Sequence, residues 1–121
     1  MDPVAVIRRW WDEVWGEERL DLIAELVGEP YVRHSAAGTV TRDHEGLAKD
    51  LCQYWRVLNR PTVSFDDMAV ADDKVWSRVT MEGVNLETGE PRKVSWLQVH
   101  RFADGRIVES WMLYANDVDW R

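Results

Sequence analysis

The run from Gln98 to Trp111 constrains the fold more than any other stretch, because it reads as a β-hairpin carrying polar side chains on an otherwise apolar face. Alternation places Val94, Trp96, Gln98, His100 and Phe102 on one face of its first strand, with Lys93, Ser95, Leu97, Val99 and Arg101 on the other. Ala103-Asp104-Gly105 fits a three-residue loop with glycine in the left-handed position, which predicts pairing of Phe102 with Arg106. Ser110, Met112, Tyr114 and Asn116 then join the Gln98 and His100 face. A buried amide or imidazole left unsatisfied costs roughly 1–3 kcal/mol, so partners or a polar ligand are expected on that face. The same alternation also fits polar residues on an exposed strand face, or structural hydrogen bonds to a neighbouring strand.

With 121 residues the chain is expected to form one domain, 1–121, with a single core. A hydrophobic content of 45% with eight tryptophans excludes a disordered chain, and no apolar run approaches the roughly 20 residues needed to span a bilayer. Met1-Asp2-Pro3 leads straight into a helical pattern without an export signal, so a cytoplasmic location is expected. A net charge of −7 with scattered basic residues argues against nucleic acid and anionic membranes as partners. Cys52 is the single cysteine, which excludes an intrachain disulfide and a cysteine zinc site, and it reads as a buried, inert thiol.

The chain divides into a helical first half and a strand-rich second half, an α+β layout. Asp2 can cap, and Pro3 can open, a helix whose stripe is Val4, Ile7, Trp11, Val14 and Trp15 and which ends near Gly16. Leu22, Ile23, Leu26 and Val27 predict a short second helix closed by Gly28 as a C-cap, and Tyr31 and Val32 begin an extended segment. Asp43 is the expected cap of a third helix, with Leu47, Leu51, Tyr54, Trp55 and Leu58 on its buried face and Pro61 ending it. His44, beside that cap, is expected in solvent. Beyond Pro61 the period changes to two, predicting strands near 62–71, 74–86, 92–102 and 106–117 in an antiparallel meander. Asp72-Asp73 and Glu87-Thr88-Gly89-Glu90 supply polar turns between them. Three helices on one curved sheet would enclose a cone.

The tryptophan-rich first helix, the short helix running into Pro30-Tyr31-Val32-Arg33-His34, the Asp43 to Leu58 helix and the closing segment His100 to Trp111 resemble the nuclear transport factor 2-like superfamily. Within it they resemble the SnoaL-like polyketide cyclase and ketosteroid isomerase branch. The resemblance spans nearly the whole chain. It implies a conical cavity on the concave face of the sheet and a homodimer contact on the convex face, where Leu97, Val99, Trp111 and Leu113 would lie.

By position, the resemblance implies that His34 stands where related isomerases hold a carboxylate base; a histidine exchanges protons near neutrality. Gln98 is similar in position to the residue that holds the substrate oxyanion, and an amide can donate a hydrogen bond to an enolate. The Gln98 to His100 spacing is similar to that of the cyclases, and Tyr114 stands near the place of their catalytic aspartate. A tyrosine with a pKa near 10 is a donor and a poor base at neutral pH, which leaves more of the chemistry to His34. Trp10, Trp15, Tyr31, Trp55, Trp96, Phe102, Ser110, Met112 and Asn116 are the expected substrate-binding residues.

The histidines have no metal-ligand spacing, and there is neither a glycine-rich phosphate loop nor a serine elbow, so no metal and no cofactor is expected. Two functions follow. The first is an enzyme that abstracts a proton beside the carbonyl of a flat hydrophobic molecule, leading to cyclisation, isomerisation or dehydration. The second is a non-catalytic module of the same fold that binds a small ligand or mediates dimerisation.

Overall fold

Apolar side chains at helical spacing give way to alternation near residue 58, and the structure follows that change. It is a computed structural model that describes residues 2–121, the side chains of Asn59 and Arg60 excepted. Helix α1 (Pro3–Arg9) starts as expected, with the Asp2 side chain accepting from the Val4 N–H and Pro3 in the first turn. It widens into a π-helix over Trp10–Trp15, a turn that puts Trp10, Trp11 and Val14 all in the core. A 3-10 turn (Leu20–Leu22) leads into the single turn of α2 (Ile23–Leu26). Helix α3 (His44–Val57) is capped by Asp43, whose carboxylate accepts from the Gly46 N–H at 2.7 Å. No helix among the described residues is long and apolar enough to cross a membrane.

Six strands follow one another as β1 (Val27–Ser35), β2 (Gly38–Arg42), β3 (Leu58–Ala71), β4 (Lys74–Asn85), β5 (Pro91–Ala103) and β6 (Arg106–Asn116). They form one curved, unclosed sheet in the order β2-β1-β6-β5-β4-β3, antiparallel throughout except where β1 runs parallel to β6. The helices cover the concave face. Val6, Ile7, Trp11, Val14, Leu26 and Leu51 pack there against Val75, Val79, Trp96 and Ile107.

Several local expectations are corrected. The α2 helix does not close on a glycine C-cap: Val27 is already extended and Gly28 lies inside β1 without a positive φ. Glycine is required there for contact, since a Cβ would stand 2.8 Å from Val108 Cγ1 on the neighbouring strand. Helix α3 ends at Val57, and Pro61 sits in edge strand β3 at a break in register, where a missing N–H is tolerated. Strand β2 was not anticipated. His44 is not simply solvated, because its Nε2 donates to the Val27 carbonyl at 2.8 Å and ties α3 to β1. Cys52 is half-buried.

The β5–β6 loop is a two-residue turn, Asp104-Gly105, with both residues at positive φ (53° and 76°) and Ala103 paired with Arg106. Phe102 therefore pairs with Ile107 in place of Arg106. A bulge at the following step restores parity, so that Arg101 pairs with Glu109 and His100 with Ser110. Gln98 pairs with Met112, Trp96 with Tyr114 and Val94 with Asn116, which places the two sets of side chains on one face as the alternation requires.

Candidate functional site

The concave face and the helices enclose a cavity of about 280 Å³. Trp10, Trp11 and Trp15 reach it from the π-helical segment; Leu47, Asp50, Leu51, Tyr54 and Trp55 from α3; Tyr31 and Arg33 from β1; Trp96 from β5; and Met112, Tyr114 and Asn116 from β6. The aromatic rings form a connected wall. Tyr114 leans on Trp96 (5.6 Å between centroids), Trp96 on Trp11 (5.4 Å), Trp11 stacks on Trp15 (5.1 Å), and Trp15 meets Tyr54 (5.5 Å) and the edge of Trp55 (6.4 Å). Such a wall gives a flat ligand large apolar contact with little side-chain entropy to lose.

Polar groups are few and unevenly paired. Asp50 accepts from Arg42 Nε at 2.9 Å, and Arg33 approaches the same oxygen, Oδ2, at 3.8 Å. Oδ1 has no hydrogen bond among the described residues. Tyr114 is partly exposed at the mouth, and its hydroxyl donates to Met112 Sδ at 2.9 Å, a weak acceptor that a ligand oxygen can replace. Desolvation holds the Tyr114 phenol above its usual range, so it serves as a donor and not as a base. Trp11, Trp15 and Trp55 each carry a buried indole N–H with no acceptor.

Gln98 and His100 lie deeper, below the cavity. Gln98 accepts the Trp96 indole N–H at 2.8 Å, fixing that ring in the wall, while its own Nε2 has no partner. His100 is 1% exposed, its Nδ1 is 2.5 Å from Ser110 Oγ, and burial alone lowers its pKa from 6.5 to about 3. At neutral pH it is an uncharged imidazole sealed from the cavity. Burial raises the pKa of the nearby Tyr31 phenol. Of the substrate-binding residues expected from sequence, Trp10, Trp15, Tyr31, Trp55, Trp96, Met112 and Asn116 line the cavity. Phe102 packs against the core near the hairpin turn and Ser110 lies beneath the floor.

His34 is on the other side of the sheet. β1 alternates so that Tyr31 and Arg33 face inward, with Arg33 opposite Ser110, and this turns His34 outward opposite Trp111. There it stacks on the Trp111 ring (5.2 Å, 15°) and its Nε2 donates to Glu109 at 2.7 Å, while Nδ1 lies 2.8 Å from the Thr39 hydroxyl. His34 and Arg101 together keep the Glu109 carboxyl below the usual carboxylate range. The constellation pins β2 and β1 to β6. It also borders an open convex groove with Trp76, Leu97, Val99, Trp111 and Leu113. Trp76, Leu97 and Leu113 are each about half exposed (53%, 49% and 61%).

Arg33 and Asp50 are the inward charges that sequence reasoning missed. Both left a signal: Arg33 is two residues from Tyr31 on a strand, and Asp50 is three after Leu47 and four before Tyr54, within the apolar stripe of α3.

Known proteins of this shape are numerous. IdmH from Streptomyces antibioticus, a candidate polyketide cyclase, is 25% identical, with 94% of this chain and 92% of that chain covered at a TM-score of 0.79. A candidate polyketide cyclase from Acidithiobacillus ferrooxidans is 15% identical, with 94% and 88% covered and a TM-score of 0.86. A protein from Catenulispora acidiphila with a ketosteroid isomerase-like fold, in complex with trimethylamine, is 16% identical over 91% and 85% at 0.78. No curated protein sequence matches the chain. Residues 7–110 match the family described as the SnoaL-like domain, and the chain belongs to that family.

Proposed function

We propose that this protein is a small-molecule enzyme of the SnoaL type, removing a proton beside the carbonyl of a flat, hydrophobic, aromatic or polyketide-like substrate without metal. The observation that supports this most is the presence of one carboxylate, Asp50, among the described residues that line an otherwise aromatic cavity. In this reading Asp50, not His34, is the base. Its Oδ1 accepts the carbon-bound proton while Arg42 holds Oδ2. The developing enolate oxygen takes a hydrogen bond from the Tyr114 hydroxyl, which exchanges its weak sulfur acceptor for the charged oxygen. Return of the proton to another carbon, attack of the carbanion on a second carbonyl, or loss of hydroxide gives isomerisation, cyclisation or dehydration. Gln98 acts at one remove by fixing Trp96.

The second reading is a non-catalytic binding module. It is favoured by the Arg42–Asp50 ion pair, which holds the one carboxylate among the described lining residues in a salt bridge, and by the burial of His100 outside the lining. In either case the half-exposed apolar convex face supports pairing with a second copy. Incubation of the purified protein with aromatic polyketide precursors and unsaturated ketones, read by mass spectrometry, separates the readings. Conversion by wild type that falls at least 100-fold in Asp50→Asn supports the enzyme, the usual scale for a general base. Binding without conversion by either protein supports the module.

A further inference from the structure

The guanidinium of Arg33 is the least engaged charge in the cavity. It points at one carboxylate oxygen 3.8 Å away, beyond hydrogen-bond reach, and it makes no hydrogen bond among the described residues. Asp50, that partner, is already taken by Arg42. Two guanidiniums share one carboxylate, so the polar end of the cavity carries a surplus positive charge inside a chain whose net charge is −7. Arg33 is only 21% exposed at its side chain, and its field reaches the phenols of both Tyr31 and Tyr114. A cation desolvated to this degree, with five donors in a planar fork, is matched by a planar anion that accepts two of them at once.

The rest of the wall does not oppose an anion. Asp50 is the one carboxylate among the described lining residues, and the other polar side chains there are the neutral groups of Asn116, the tyrosines and the tryptophans. We infer that the ligand of this cavity is an aromatic carboxylate, with its acid group clamped by Arg33 and its ring against the tryptophan wall. The inference rests on the reading of the cavity as a substrate site and adds the substrate class and the residue that selects it. Arg33 is a recognition residue here, with the reacting carbonyl held elsewhere on the same ligand.

Isothermal titration calorimetry with three probes of one shape tests this: 2-naphthoate, 2-naphthamide and 2-naphthyltrimethylammonium. Wild type should bind naphthoate at least tenfold more tightly than naphthamide, and the ammonium weakest. Arg33→Gln should abolish the preference, with a circular dichroism spectrum and tryptophan fluorescence matching wild type to report that the fold is intact. Equal binding of naphthoate and naphthamide, tightest binding of the ammonium, or a preference that survives Arg33→Gln overturns the inference and leaves the cavity reading standing. Failure of all three probes to bind overturns both.

Discussion

His100 provides a measurable consequence of burial. Its imidazole is fully enclosed, and its pKa falls from 6.5 to about 3 through desolvation alone. In the unfolded chain the same ring takes up a proton near pH 6.5. Below that pH the unfolded state binds one more proton than the folded state, so the group's contribution to stability is fully present above about 6.5 and is lost as pH falls toward 3. Each unit within that window is worth about 1.4 kcal/mol, and from pH 7 to 4.5 the loss amounts to roughly 2–3 kcal/mol. Carboxylates titrate lower and affect wild type and variant alike. His100→Asn keeps a polar group near Ser110 Oγ but cannot take up the proton. Urea unfolding followed by tryptophan fluorescence across that range should therefore show the gap between wild type and variant shrinking or reversing by about 2 kcal/mol toward low pH. A gap independent of pH would refute the claim that His100 is buried neutral, and with it the exclusion of His100 from proton transfer.

Replacing Gly28 with Ala sets a Cβ against Val108 Cγ1 at 2.8 Å, so thermal denaturation should show a loss of about 1–2 kcal/mol, recovered in the double variant with Val108→Ala. His34→Ala should cost about 1 kcal/mol through loss of its Glu109 bond and the Trp111 stack, yet leave any turnover within about twofold, because the ring is outside the cavity. The proposed pairing through the convex face predicts a dimer for wild type in sedimentation velocity and a monomer for Leu113→Arg, with ligand binding unchanged, since Leu113 is 61% exposed there.

The concave face was legible because alternation is local: once β5 and β6 are joined by a short turn, the Gln98 and His100 face is determined to within the bulge that the turn requires. The loop is a two-residue turn where the sequence suggests three, and the bulge after Arg101 restores the parity. β1 has no such neighbour in sequence. It enters parallel to β6 from more than 70 residues away, and a shift of one residue decides whether Arg33 or His34 faces the cavity. Positional resemblance chose His34. Chemical type misleads in the same way, since charged side chains default to solvent, whereas Arg33 and Asp50 lie on apolar faces and turn inward. Short β2, with its mostly exposed residues Gly38–Arg42, lacks the buried alternation that marks a strand. The orphaned indole N–H groups belong to tertiary packing and have no trace in the sequence.

The central claim is that Asp50 removes a carbon-bound proton inside the cavity. Proton NMR in deuterium oxide reads that step directly, as the rate at which the protein exchanges the α-hydrogens of a bicyclic aromatic ketone above the buffer rate. The account predicts protein-dependent exchange that falls at least 100-fold in Asp50→Asn and persists in His34→Ala. Exchange that survives Asp50→Asn and disappears in His34→Ala would contradict it.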